Sequence, residues 1–185
     1  LQHDDAPRWV VDPLDGTFNF HRGLPLCCVS IGLMRGSTPV LGVIHDFVSN
    51  RCYSGIVGEG AWCDGVPMHV SGVRDVRQAV LMTGLPTAGD YSKERLQAFI
   101  TECQRFKKVR ALGTAALMLA LVASGQADAY DEQGVRLWDV AAGLALVEAA
   151  GGVCRVEPFG DQPYMCHVRA AADASLWANT ASPSA

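Results

Sequence analysis

Hydrophobic positions along the chain fall into two regimes, and the change lies near residue 75. In the first regime, short apolar runs are separated by compact turn sequences. Residues 26–34, 40–47 and 51–57 read as strands joined by Arg35-Gly36-Ser37-Thr38 and by Ser49-Asn50, which predicts an antiparallel meander. Gly58, Gly60 and Gly65 interrupt the next stretch and leave 61–63 and 67–70 as short edge strands. Upstream, Trp9-Val10-Val11 is a strand that should stop at Pro13, which has no N–H to give to a ladder. Residues 1–8 are polar and read as frayed, and 19–25 as an irregular helix and loop.

In the second regime, strands at 79–83, 107–112, 127–131, 153–156 and 167–171 are separated by helices. Ser92 is an N-cap for a helix whose Leu96, Phe99, Ile100 and Cys103 recur at helical spacing. Gly113-Thr114 opens a helix over 115–124, closed by Gly125. That helix is apolar on all sides, so it should be buried. Asp139 caps a further helix over 140–150, closed by Gly151-Gly152. Asp173 caps a last helical turn, and 180–185 read as disordered. Strands alternating with buried helices predict a mixed sheet with helices on both faces. The fold class is therefore α/β (α+β). A single domain over 1–185 divides into an antiparallel subdomain, 1–75, and a mixed one, 76–185, across the polar connection 71–78.

Composition narrows the function classes. The 185 residues suit one domain, and 49% hydrophobic content supplies a large core. A net charge of −4 argues against nucleic acid or an anionic membrane as partner. Arg105, Lys107, Lys108 and Arg110 form the one cationic cluster and read as a solvated face. The seven cysteines are odd in number, form no C-x-x-C pair and lie mostly in apolar runs. That pattern opposes a disulfide framework or a zinc site and points to a reducing, cytoplasmic setting. His45 and His69 have no partner at metal-ligand spacing and read as structural. No apolar run reaches the roughly 18 residues that a membrane span needs.

Chemistry concentrates after the first strand. Asp12 and Asp15 stand three residues apart in a turn, so both can face one point. Converging carboxylates repel unless a cation sits among them, and hard oxygen ligands suit magnesium, manganese or calcium. The backbone N–H groups of Gly16 and Thr17 open a helical turn that would suit a phosphate. An ordinary acidic turn explains Asp-Pro-Leu-Asp-Gly equally well on its own. Far along the chain, Leu137-Trp138-Asp139-Val140-Ala141-Ala142-Gly143 offers Asp139 where an apolar helix begins. Such an Asp also gains simply from the helix dipole.

Taken together, Trp9 to Phe20 and Trp138 to Gly143 resemble the inositol monophosphatase family of magnesium-dependent, lithium-sensitive phosphatases. The matching patterns are W-[IV]-[IV]-D-P-[IL]-D-G-T-x-N-F and W-D-x-A-[AG]-[AG], with support from Gly58-Glu59-Gly60-Ala61-Trp62 and from Gly113 to Glu132. The one departure is Phe18, where Thr is common. The resemblance implies a layered αβαβα sandwich. It makes Asp12 a ligand shared by two Mg2+ ions. The Leu14 carbonyl serves the first ion, and Asp15 and Asp139 complete the second. It assigns Gly16 and Thr17 to the phosphate, Thr17 also to orienting the nucleophilic water, and Gly113, Thr114, Ala115 and Glu132 to substrate contact.

Family members also carry a segment ahead of the first motif, with a helix pair and a Gly-Glu motif that supplies a ligand to the first metal. The chain is thus expected to be an N-terminally truncated member, with one helix layer missing and part of the first sheet exposed. Lowered stability or self-association would follow. The implied reaction is hydrolysis of inositol monophosphate or a related polyol phosphate, with room for a homodimer. Histidinol phosphate, fructose bisphosphate and adenosine bisphosphate are the alternative substrates. A catalytically impaired fragment, or a module that binds a metal or anion, is the alternative function.

Overall fold

The computed structural model describes residues 6–85 and 90–178. Six strands form the first sheet: β1 (Pro7–Asp15), β2 (Cys28–Arg35), β3 (Thr38–Asp46), β4 (Arg51–Ile56), β5 (Gly60–Cys63) and β6 (Val66–Met68). They lie in chain order and every neighbouring pair is antiparallel, as the alternating pattern predicts. A short helix, α1 (Thr17–His21), follows β1.

Two ends of β1 differ from expectation. Pro7 and Arg8 belong to the strand, with Pro7 opposite Arg35 and the Arg8 guanidinium donating to the Gly36 carbonyl at 3.0 Å. At the other end β1 passes through Pro13 and resumes pairing at Asp15, opposite Cys28. Proline is tolerated there because β1 is an edge strand, and the register is irregular between Asp12 and Asp15. The expectations for 1–5 and 180–185 fall outside the described residues.

The second sheet has the order β10-β11-β9-β7-β8, from β7 (Val80–Thr83), β8 (Lys108–Arg110), β9 (Ala129–Arg136), β10 (Val153–Pro158) and β11 (Met165–Ala171). β7 runs parallel to β8 and β9, while β11 is antiparallel to both its neighbours, so the sheet is mixed. The helices are α2 (Lys93–Arg105), α3 (Ala115–Ala123) and α4 (Leu137–Ala149). β9 extends five residues beyond the expected end at 131 and runs directly into α4. Its polar residues suit a strand because β11 answers them: Asp131 faces His167 Nε2 at 2.7 Å and Arg169 Nε at 3.2 Å.

α3 and α4 lie between the two sheets and are buried along almost their whole lengths. Their approach to the first sheet depends on glycine. Gly32, Gly42 and Gly55 stand in one register row across β2, β3 and β4. A Cβ on Gly32 or Gly42 would strike the backbone of Ala141 or Ala142, and one on Gly55 would press on Leu146 and Ala149. The row is a flat track on which the alanine-rich face of α4 rests. On its other side, Gly143 gives room to Leu119 of α3. The resulting core joins both sheets, from Cys28 and Ile44 to Tyr130 and Val168.

The outer faces are less covered. Beyond the second sheet, Phe106 and Leu176 pack with Leu81 and Ala129, joined by Cys103 of α2. No residue of α2 is buried, and Leu96 and Ile100 of the expected apolar face stay exposed. On the first sheet, Trp9 is 64% and Val11 48% exposed. Among the described residues, no helix is long and apolar enough to cross a membrane.

Candidate metal centre

Asp12, Asp15 and Asp139 converge, each offering a carboxylate oxygen within 4.8 Å of the others'. The irregularity in β1 creates the first half of this arrangement. Strand pairing lapses after Asp12, and the Leu14 N–H turns back to donate to Asp12 Oδ1 at 2.9 Å. Gly16 then takes φ +79, and a Cβ there would lie 2.5 Å from the Leu26 carbonyl oxygen. Only glycine combines that dihedral with that approach. The next residue, Thr17, is exposed, and its hydroxyl donates to the Leu14 carbonyl at 2.7 Å.

Asp15 is buried and held by the start of α3. The Thr114 hydroxyl donates to its Oδ2 at 2.6 Å, and the Ala116 N–H donates to the same oxygen at 2.8 Å. Thr114 is 2% exposed and also caps α3, so its hydroxyl is committed to Asp15 rather than to the open side of the site. Gly113 is exposed at this mouth, and Ala115 is buried behind it. A second tie comes from Asn19, whose side-chain amide donates to the carbonyls of Leu26 at 2.9 Å and Leu112 at 2.7 Å. It fastens the acidic turn to the loop before α3.

Asp139 sits in the first turn of α4, which begins at Leu137, rather than at the N-cap over 140–150 that the sequence suggested. The polar end of β9 runs into the helix without a loop, which moves the helix start back by three residues. Its carboxylate accepts from the Arg136 N–H at 3.1 Å, so the first turn is still satisfied by this side chain. Glu132, on β9, receives the Tyr130 hydroxyl at 3.0 Å, and its carboxylate lies against Gly84.

The electrostatics are those of crowded acid. Burial, then the charges of Asp15 and Asp12, push Asp139 up to about 7 against the opposing Arg136 N–H. Asp15 is also raised, mainly by burial and further by Asp12, while the donors Thr114, Ala116 and Gly16 pull it down. Glu132 reaches about 7 through burial, with Asp15 and Asp139 adding to it. Among the described residues, no lysine, arginine or histidine forms an ion pair with the three aspartates. The set is oxygen-only and lacks an internal counter-charge, a donor chemistry that fits a hard divalent cation.

Comparison with known proteins bears on what such a set belongs to. The sequence profile of the inositol monophosphatase family matches residues 2–181. The chain is a member of that family. An inositol monophosphatase from Mesembryanthemum crystallinum is 40% identical over 155 residues, 80% of this chain and 56% of that protein. The Nus factor SuhB of Xylella fastidiosa is also 40% identical, over 83% of this chain and 57% of its own. The chain thus spans about half the length of the curated relatives it matches. Among solved structures, the inositol monophosphatase of Anabaena superposes with a TM-score of 0.83 at 32% identity, covering 95% of this chain and 70% of the other. These family structures share the layered sandwich expected from the sequence.

Three features of the site were not readable as chemistry in advance. The hydroxyl of Thr114, the amide of Asn19 and the phenol of Tyr130 all hold the acidic groups in place. Asn19 is buried in its helix, and the available signal was a polar residue flanked by Phe18 and Phe20 within the first motif.

Proposed function

We propose that this inositol monophosphatase family chain carries the metal-binding core of a magnesium-dependent phosphomonoesterase, acting on inositol monophosphate or a related polyol phosphate. The observation that carries the reading is the convergence of Asp12, Asp15 and Asp139, with no basic side chain paired to them among the described residues. In this reading Asp12 is the shared ligand, the Leu14 carbonyl serves one ion, and Asp15 and Asp139 serve the second. Bound magnesium would activate water and offset charge on the phosphoryl oxygens.

The chain's own residues do the rest. Thr17 gives its hydroxyl proton to Leu14, so its oxygen lone pairs are left to accept from the attacking water and fix that water's orientation. The backbone N–H groups of Gly16 and Thr17 would face the phosphate, though Gly16 shares its donor with Asp15. Thr114 acts as a positioning residue for Asp15, while Gly113, exposed at the mouth, would border the ester with Ala115 buried behind it. Glu132, set on β9 and held by Tyr130, would accept hydrogen bonds from polyol hydroxyls. No cationic side chain is needed for phosphate attraction if the divalent ions supply the positive charge.

The deciding experiment is phosphate release from inositol 1-phosphate, with and without magnesium and with added lithium, alongside thermal unfolding under the same conditions. Magnesium-dependent, lithium-blocked release is expected if the residues present suffice for turnover. Magnesium-induced stabilisation without release would assign the chain to metal binding without turnover. No stabilisation by magnesium would overturn the metal assignment itself.

A further inference from the structure

The metal centre uses the first turn of α4, and another side of that helix borders a second cavity of about 520 Å³. It opens between the β2–β3 hairpin and the β10–β11 hairpin. Met34, Leu137, Leu144 and Val156 give it apolar walls. Its charged groups are of one sign: Glu148 and Asp161 line it, and no lysine, arginine or histidine does. Leu137, Leu144 and Glu148 follow at helical spacing, so the carboxylate stands on the same face of α4 as the apolar wall.

Glu148 is half-buried, and its carboxylate has no hydrogen-bond or ion-pair partner among the described residues. Burial alone raises its pKa. Arg155, on β10 between two of the lining residues, is committed to Glu157 at 2.6 Å. Ser37, Thr38 and Gln162 also line the cavity and are neutral. A half-buried carboxylate left without a partner is costly, and a cationic ligand that supplies the donor recovers that cost. An anion meets no cationic side chain in this lining and two carboxylates that repel it. A bare metal ion is better served by a cluster of converging carboxylates, as at Asp12, Asp15 and Asp139.

We propose that this cavity binds a small organic ammonium ion, with its apolar body along α4 and its N–H donors on Glu148. Asp161 stands exposed and adds to the attraction. The volume is within the range of small-molecule sites, roughly 300–1,000 Å³. Leu137 lies two residues before Asp139, so the ligand would sit behind the metal centre rather than in it.

The test titrates phenethylammonium into the intact chain, with 2-phenylethanol as its neutral counterpart, and follows binding by NMR shifts and calorimetry. Saturable binding of the ammonium is expected, with the alcohol about tenfold weaker, as for loss of one charge-assisted hydrogen bond. Glu148→Gln should weaken the ammonium about tenfold and leave the alcohol unchanged. Val156→Trp, at a position 43% exposed, should close the cavity to both without disturbing the core. Equal affinity for amine and alcohol, an unaffected Glu148→Gln variant, or no saturable binding would each overturn the proposal. Retained thermal midpoints in both variants keep these outcomes distinct from misfolding.

Discussion

Asp139 is held in place by the Arg136 N–H at 3.1 Å, and it faces two other carboxylates. An Asn there keeps an acceptor for that N–H and removes the charge. Asp139→Asn should therefore leave the metal-free chain as stable as the parent, or more stable by about 1 kcal/mol, because like-charge crowding is relieved. The same variant should lose most of the magnesium-induced rise in melting temperature, and any phosphatase turnover should fall about 100-fold or more. Thermal scans with chelator and with magnesium check both halves. A variant that keeps the full magnesium response would remove Asp139 from the ligand set. Asp12, Asp15 and Asp139 could all be named from the sequence because each lies in a short local motif. Thr114's partner could not, since Asp15 lies 99 residues away and is brought to it by the fold.

At the scale of elements, α4 decides how the two halves meet. Its seat on Gly32, Gly42 and Gly55 leaves no space for a Cβ at Gly42, where Ala142 backbone lies against the strand. Gly42→Ala should cost about 2–4 kcal/mol, since strand and helix must move apart. Gly58→Ala is the comparison: its φ is +88 and nothing lies within 4 Å. That change should cost only about 1 kcal/mol, from backbone strain alone. Urea midpoints of the two variants test the difference, and equal losses would mean that close packing on Gly42 is not limiting. The strands and the fully apolar α3 were legible from the pattern. The course of β9 was not, because Asp131, Glu132 and Gln133 read as a loop until β11 supplies partners. β1 passed through Pro13 for a related reason: an edge position forgives a missing donor, and edge status is a property of the assembled sheet.

For the whole molecule, the crowded acids predict the direction of pH dependence. Asp139 and Glu132 hold protons in the folded chain up to about 7, whereas their ordinary values are 3.8 and 4.5. Between those limits the folded chain binds more protons than the unfolded one, so without metal its stability should fall as pH rises through that window. With magnesium present, an ion held by Asp139 would displace the Asp139 proton, while Glu132, outside the ligand set, keeps its own. The metal-induced stabilisation should then grow with pH over the same interval. Calorimetric scans across the window, with chelator and with excess magnesium, measure both slopes. Increasing stability in chelator as pH rises would contradict the crowding described here.

The sequence alone determined the architecture class, the acidic turn and its distant third aspartate, because each is written in local periodicity or in a short motif. Spacing marked Asp12 and Asp15 as a converging pair, although both lie within β1 rather than in a turn after it, and apolar runs without a polar side marked α3 as buried. What only the tertiary structure decided is which groups hold those acids and what surrounds them. The Thr114–Asp15 bond, the Asn19 tie to the 112–113 loop, the glycine track under α4 and the cavity beside Glu148 all join residues far apart in the chain. Such contacts depend on how layers stack and how closely backbones approach, and local sequence carries no record of either.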